Sequence, residues 1–400
     1  VIRTLFITKE KPYPPAGGVE LRNWQNINIM RKYGELGIFS ITQWKSNSEV
    51  PDGIDLWHSY SLSKSLSRWE TWERRAWLLR PNAHPDMDSL YQQAAVKELE
   101  KVLIEFKPDV VVIEEIWLYN YLKVCKRHQY RVIFDEHNIE ADLFEQKHGA
   151  LKMRLPRLKS IELDFIRKAD QTWVCSQEDI VLLKTLYGEK YQPYAVPNGI
   201  DVSSYDRVRL NKCTPPEGLE GKQHDIIYMG TFSYIPNKVA AKLLIEEIYP
   251  RLKKNYPDCR LLLVGRSPTE SMQKAAASDP SIIVTGSVPD VRPYLAAASV
   301  MVVPLQQGGG TRLKLLEAFA SGCPTVSTNK GAEGLNAIDG VHLLIKDEMD
   351  AIANSVEQLW SDPSLVEKLT HSAYELVKAE YSWEAVGKQV EKALQSLNLV

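Results

Sequence analysis

The sequence predicts an α/β protein built as two doubly wound parallel-sheet domains in series. Three observations predict it. Short apolar runs alternate with longer amphipathic stretches along the whole chain, the pattern of parallel strands covered on both faces by crossover helices. One segment, Arg209–Asp225, breaks that rhythm with Pro215, Pro216, Gly218 and Gly221. The chain is also long enough, at 400 residues with 44% hydrophobic and 25% charged, to bury two cores rather than one.

Taken in order, strands are expected at Thr4–Thr8, Ile38–Thr42, Val110–Ile113, Val132–Phe134, Thr172–Cys175 and Tyr194–Val196. Helical patterns lie between them at Val19–Tyr33, Leu90–Phe106, Leu155–Lys168 and Gln177–Leu186. Asn198-Gly199 reads as a turn with a residue at positive φ. After the break come strands at Ile226–Met229, Arg260–Val264, Ile282–Val284, Val300–Val303 and Thr325–Ser327, with helices at Val239–Asn255, Val291–Ala298 and Arg312–Ser321. The tail from Pro363 to Leu397 is helical in pattern. The expected organisation is a first domain over 1–205, a linker over 206–224, a second domain over 225–375, and a C-terminal helix over 376–400 that is a candidate for packing back on the first domain. Two such sheets place a ligand in a cleft at the C-terminal ends of their strands.

Composition narrows the function classes. A formal net charge of −2 argues against a nucleic-acid binder driven by overall basicity. The five cysteines are scattered and form no Cys-x-x-Cys pair, which argues against a disulfide framework or zinc site and fits a reducing compartment. Val1–Ile7 reads as a first strand rather than a signal peptide, and no run is apolar enough to span a bilayer. A cytoplasmic protein is expected.

The chemistry concentrates after the strand Val300–Val303. The run Gly308-Gly309-Gly310-Thr311 leads into a helix expected to start at Arg312. Strand, glycine loop and helix start make an anion site, because unpaired N–H groups and the helix dipole both favour negative charge. Arg312 and Lys314 then fall in the first helical turn, where the dipole disfavours cations by roughly 0.3–1 kcal/mol each. A bound anion reverses that preference, and the Arg312 fork matches two phosphate oxygens. The plainer alternative is a flexible loop with two solvated cations. Glu317, on the same helix, is either a surface glutamate or a carboxylate accepting from ribose hydroxyls.

A second unusual stretch is 62–80. Trp69, Trp72 and Trp77 interleave with Lys64, Arg68, Arg74, Arg75 and Arg80, and Lys152, Arg154, Arg157 and Lys159 add a further basic run. It reads either as an interfacial element resting on an anionic membrane or, the favoured reading, as a flap whose tryptophans pack on the core or stack on sugars.

These residues together resemble a family. Val300–Ser327 looks like the donor-site signature of family-4 retaining glycosyltransferases (group 1, GT-B fold). Pro14-Pro15-Ala16-Gly17-Gly18 with Arg22 resembles their first glycine loop, Asp135-Glu136-His137-Asn138 their cleft histidine segment, and Val196-Pro197-Asn198-Gly199-Ile200-Asp201 their Pro-Asn-Gly turn. Ile226–Gly230 and Leu261–Gly265 resemble strands of their donor domain.

The resemblance implies two Rossmann-like domains facing across a cleft and transfer of a hexosyl unit, with retention and without a metal or other cofactor. The donor would be a UDP- or GDP-sugar and the acceptor a glycan or lipid-linked hydroxyl, with peripheral membrane contact through 62–80 only on the less favoured, interfacial reading of that stretch. It implies a catalytic role for His137, to which the reading of the glycine loop as an anion site adds Arg312 and Lys314. Donor contacts would come from Gly17, Gly18, Thr231, Lys238, Arg266, Val288, Pro289, Gly309, Gly310, Thr311 and Glu317, with Lys238 placed just before a helix starting near Val239. No Asp-x-Asp motif suggests a metal-dependent donor site.

The sequence departs from the family pattern twice. Gly309 stands where a second glutamate is usual, and Gly230-Thr231 stands where Gly-Arg is usual. Arg312 and Lys314 are then expected to supply the charge of the absent arginine. A non-catalytic nucleotide-sugar-binding protein and a GT-B nucleotide-sugar epimerase stay open beside the transferase.

Overall fold

The computed structural model describes residues 1–15, 17–43, 50–62, 71–72, 83–147, 154–220, 224–310 and 312–400. Thr311, Lys152 and nearly all of the stretch 62–80, including Trp69 and Trp77, lie outside the described residues. Trp72 is described and is 65% exposed. Two compact units make up the chain: Val1–Asn198 with Gly387–Val400, and Gly199–Val386.

The first unit is built on strands β1 (Thr4–Lys9), β2 (Leu36–Thr42), β3 (Leu56–Ser61), β4 (Val110–Glu114), β5 (Arg131–Asp135), β6 (Gln171–Val174) and β7 (Tyr194–Ala195). They form one parallel sheet in the order β3-β2-β1-β4-β5-β6-β7. β1, β2 and β4 are buried along essentially their whole length, as near-continuous apolar runs require. β3 was not expected from the sequence. It sits at the sheet edge and is half-buried throughout, so its residues Leu-Trp-His-Ser-Tyr-Ser need no continuous apolar run.

The second unit carries β8 (Asp225–Met229), β9 (Arg260–Val264), β10 (Ile282–Gly286), β11 (Val300–Val303), β12 (Thr325–Ser327) and β13 (Leu344–Ile345), in the order β10-β9-β8-β11-β12-β13. In both sheets the chain order reverses beside the first strand: between β1 and β4 in one, between β8 and β11 in the other. Open parallel sheets bind ligands at the C-terminal ends of strands at such a switch.

Several expectations need correction. The division falls at Asn198/Gly199, ahead of the expected boundary. The described stretch 206–220 of the expected linker packs as part of the second unit, with Val208 and Leu219 buried in its core. Neither Asn198 nor Gly199 has positive φ. Asn198 is instead drawn into the first unit's buried polar cluster by Arg22. The single helix expected at Val239–Asn255 starts earlier, at Ile235, and becomes π-helical over Leu244–Ile248 before resuming at Tyr249–Asn255. Pro250 lies just past the π segment; it has no N–H to give and its ring crowds the preceding turn. Lys238 is therefore inside that helix rather than ahead of it, and its side chain is exposed. The C-terminal helical pattern turns π-helical over Val377–Tyr381 and breaks at the extended Ser382, before the helix Trp383–Ser396. In that last helix Gly387 onward belongs to the first unit, where Gln171 Nε2 donates to Ala393 O at 2.8 Å.

Candidate active site

The switch point of the first sheet is filled by a charged cluster with almost no exposure. The helix Gly18–Met30 follows the loop after β1, starting at Gly17 in an extended conformation. It turns a polar face inward, burying Arg22, Asn23, Gln25 and Asn26. Arg22 forks onto both oxygens of Asp135 at the end of β5, with Nε donating to Oδ2 at 3.1 Å. Its Nη1 donates to Val196 O at 2.7 Å and to Asn198 Oδ1 at 2.9 Å. Asn26 Nδ2 adds a bond to Asp135 Oδ2 at 2.7 Å.

Parallel register sets Glu114 of β4 beside Asp135, and His137 follows two residues later. His137 Nε2 lies 2.8 Å from Glu114 Oε2 and 3.7 Å from Asp135 Oδ2. Burial by itself would raise Asp135, but Arg22 and His137 outweigh it and hold the carboxyl well below the usual range. Burial would lower His137, yet Asp135 and Glu114 raise it to about 9. Burial and the neighbouring Asp135 push Glu114 up to about 8. The ring is therefore an imidazolium near neutrality, and among the described residues its Nδ1 has no hydrogen-bond partner.

Glu114, Asp135 and His137 also bring potential metal-ligating atoms within 4.8 Å of one another. Both Asp135 oxygens are already taken by Arg22 and Asn26. A second cation beside that guanidinium would meet repulsion, so the geometry fits an internal ion-pair network better than a metal site.

The second sheet's switch point is organised by close backbone approach. Gly265, after β9, has φ +142, and a Cβ there would lie 1.9 Å from Gly230 O, at the end of β8. Only glycine allows these strand ends to meet. The approach brings Arg266 to Thr231, with Nη2 donating to Oγ1 at 3.5 Å. A Cβ on Gly230 would collide with Asn237 Nδ2 at 2.7 Å. Asn237 accepts from Tyr228 Oη at 2.7 Å and from Lys314 Nζ at 2.9 Å.

After β11 the chain passes through Gly308 at φ +119 and Gly310 at φ +73, both in the left-handed region. The helix begins at Leu313, so Arg312 is its N-cap residue rather than a first-turn residue. Its side chain is nearly buried and folds back into the loop. Nη1 donates to Gly309 O, Nη2 donates to Lys330 O at 3.3 Å, and Glu333 lies 3.9 Å away. Arg312 thus shapes the glycine loop. Lys314 is half-buried, with Nζ 3.9 Å from the Tyr228 ring centre; burial and Arg312 hold it well below the usual lysine range. The pairing of both cations explains how they tolerate the positive end of a helix.

Glu317 accepts from Tyr205 Oη at 2.9 Å. Burial pushes it up to about 7 against the opposing pull of Tyr205 and Lys314. Val288 is half-buried and Pro289 exposed, in the loop after β10.

Gly309, Gly310, Arg312, Lys314 and Glu317 are thus brought around one helix start, with Thr231 and Arg266 paired on the neighbouring strand ends. His137 with Gly17 and Gly18 belongs to the first unit. Sequence reasoning missed Glu114, Asn237 and Tyr205 as partners. Arg22 and Asn26, one turn apart in a run of buried polar residues, carried a signal for the first cluster. Chemically, the second site presents backbone N–H groups and cations to an anion and a carboxylate to hydroxyls.

Comparison with known proteins agrees with this geometry. A group 1 glycosyl transferase model matches residues 223–362, and a glycosyltransferase family 4 model matches 59–204. The lipopolysaccharide 1,2-N-acetylglucosaminetransferase of Salmonella typhimurium is 22% identical over 96% of this chain and 95% of its own length. Among solved structures, a sucrose-phosphate synthase from Thermosynechococcus elongatus superposes with a TM-score of 0.74 at 17% identity, covering 99% of each chain. Anabaena HepE in complex with UDP and glucose gives 0.70 at 13% identity, covering 99% of this chain and 100% of its own. With two sheets of this topology and matching models over both halves, the chain belongs to the group 1, family-4 glycosyltransferases and has the GT-B fold.

Proposed function

We propose that this protein transfers a hexosyl unit from a nucleoside-diphosphate sugar, a UDP- or GDP-sugar, to a hydroxyl acceptor with retention of configuration. The observation that carries the reading is the glycine loop Gly308–Gly310 held by Arg312 ahead of a helix that also bears Glu317. One end of that helix suits a diphosphate and the carboxylate suits a ribose. HepE, whose structure contains UDP, supports a uridine donor.

In the reaction, the bond from the sugar's anomeric carbon to the diphosphate oxygen breaks as the acceptor oxygen bonds to the same face. The acceptor proton passes to the departing phosphate oxygen. Negative charge growing on the diphosphate is met by loop N–H groups, Lys314 and Arg266, so the reading calls on no metal ion. His137, as an imidazolium, is suited to donate a hydrogen bond to a sugar oxygen; a positive ring would oppose rather than stabilise an oxocarbenium centre.

The named relative is a lipopolysaccharide N-acetylglucosaminetransferase, which supports an acceptor in glycan, glycolipid or envelope polysaccharide synthesis. No helix among the described residues is long and apolar enough to cross a membrane. Gly309 in the place of a usual glutamate favours one second reading, binding without transfer.

A thermal-shift panel of UDP-, GDP- and ADP-sugars, followed by donor-hydrolysis assays on those that bind, tests the proposal. A raised Tm with hydrolysis is expected. Binding without hydrolysis or transfer supports the second reading, and no shift with any nucleotide sugar removes both.

A further inference from the structure

Glu317 has a partner that the donor-site reading does not use. Tyr205 ends the short 3-10 turn Val202–Tyr205, and its hydroxyl donates to Glu317 Oε1 across 112 residues of sequence. That turn is fixed from two sides. Ser203 and Ser204 hydroxyls donate to Asp201 at 2.6 and 2.7 Å. From the other side, Arg292 Nη1 donates to Ser204 O at 3.1 Å while its Nε holds Asp290 Oδ1 at 2.8 Å. Asp290 follows Val288 and Pro289 directly. Three hydrogen bonds, Arg292 to Asp290, Arg292 to Ser204 and Tyr205 to Glu317, therefore connect the loop expected to face a nucleobase with the carboxylate expected to face its ribose.

We infer that Tyr205 is a positioning residue for the donor nucleotide: its hydroxyl fixes Glu317 so that the second carboxylate oxygen accepts from the ribose of a nucleoside diphosphate. The inference rests on the donor-site reading above. The physical argument is preorganisation. A half-buried carboxylate on a helix has free torsions about its outer bonds, and a ligand that must order them binds more weakly. One oxygen anchored by a phenol leaves a single acceptor in a set direction, and a donated hydrogen bond favours the ionised form that ribose hydroxyls need.

The charged groups facing Glu317 are Lys314 on its own helix, Tyr205 on the turn, and Asp290 with Arg292 beyond it. Lys314 and Tyr205 favour the carboxylate; burial and Asp290 oppose it. Glu317 is raised to about 7, so nucleotide affinity falls as pH drops through that value, because the protonated acid loses acceptor capacity. Removing the Tyr205 hydroxyl moves the midpoint upward.

The test uses the full chain and UDP as probe, with GDP and ADP in parallel and 2′,3′-dideoxy-UDP as the analogue lacking both hydroxyls. Affinities are measured by calorimetry from pH 5.5 to 8.5 for wild type, Tyr205→Phe and Glu317→Gln, with unliganded Tm confirming that each variant folds. Tyr205→Phe is expected to weaken UDP about tenfold at pH 7, the scale of one hydrogen bond to a charged group. It should shift the pH midpoint up and leave dideoxy-UDP nearly unchanged. Glu317→Gln should reduce the pH dependence of UDP to that of dideoxy-UDP, which the terminal phosphate sets through its own ionisation at about pH 6. If Tyr205→Phe keeps the wild-type affinity and midpoint, or binds UDP more tightly, the inference is overturned while the donor reading stands. If it weakens both nucleotides equally, Tyr205 supports the fold and not the ribose contact, and the inference again fails. If wild type binds no nucleoside diphosphate at all, the donor reading itself falls.

Discussion

The two switch points carry charge in opposite ways. In the first unit Arg22, Asp135, Glu114 and His137 are 2%, 0%, 0% and 7% exposed, and their charges are met mostly by one another. In the second unit Lys314 and Glu317 are half-buried, Arg266 and Lys238 are exposed, and Arg312 and Lys314 stand at the positive end of a helix. The first arrangement fixes the charge state and direction of one ring before any ligand arrives. The second holds a positive surplus that an anion completes. Rigid charge and unmet charge are thus separated between two sites, and each responds differently to removal of a cation.

The largest effect is expected at Arg22. Arg22→Ala leaves Asp135 ionised and buried without its cation, which costs about 3–5 kcal/mol of folding stability. Lys314→Met, the matching removal in the second cluster, should cost less than about 1 kcal/mol without ligand, since burial already disfavours that charge. Urea unfolding of both variants checks the contrast, and equal losses would erase it.

Titration breaks the comparison next. His137 is raised from 6.5 to about 9 and Glu114 from 4.5 to about 8 on folding. Groups raised in the folded state bind protons more tightly there, so their stabilisation is full below the unfolded values and is lost as pH rises through the folded ones. Asp135 works in the opposite direction and matters only in acid. Glu114's share is lost from about pH 4.5 to 8 and His137's from about pH 6.5 to 9, so the coupled pair is expected to lose stability steadily as pH rises, most steeply between about pH 6.5 and 8 where both titrate. Urea midpoints across about pH 4.5–9 should fall in wild type and fall less steeply in His137→Gln, where only Glu114 still titrates. A wild-type slope retained in full in His137→Gln would assign it to other groups.

How much of this was legible in the sequence follows from range. β9, β11 and β12 and the helix Leu155–Lys168 lie where the pattern puts them, because a strand buried on both faces or a strongly amphipathic helix writes its own period. β3 and β13 were missed as short or half-polar edges. The helix Glu270–Ser278 was missed because it buries little beyond Met272. At the sites, the glycine run and His137 were visible as local motifs. The Glu114–His137 contact was not, since it depends on the register of β4 against β5. Arg312 was misread as a first-turn residue because no sequence pattern tells an N-cap side chain to fold back onto Gly309 O.

Arg312 therefore gives a smaller but sharper test. Its fork ties the loop to Lys330 as well as carrying charge. Arg312→Ala should weaken UDP about tenfold and lower stability by about 1–2 kcal/mol. Arg312→Lys keeps the charge and loses the fork. If lysine restores affinity, charge is the contribution; if it binds as poorly as alanine, loop shape is. Unchanged affinity and turnover in Arg312→Ala would end the idea that this side chain compensates for the absent arginine after Gly230.

The smallest effect is expected at Arg266, and it is purely electrostatic. This side chain is exposed, and its contact with Thr231 at 3.5 Å lies at the limit of a hydrogen bond. Arg266→Ala should leave stability within about 0.5 kcal/mol of wild type. Yet the collision-limited meeting of Gly265 and Gly230 holds Arg266 beside the position where family members carry their arginine. A cation there, screened by solvent, is worth a few-fold in diphosphate affinity at low salt and little at high salt. UDP titrations of wild type and Arg266→Ala at both ionic strengths measure this directly. A difference that persists at high salt would mean a desolvated, directional contact, and the positive surplus of the second site would then be as fixed in place as the first. No difference at either salt would leave Lys314 and the loop N–H groups to hold the diphosphate without it.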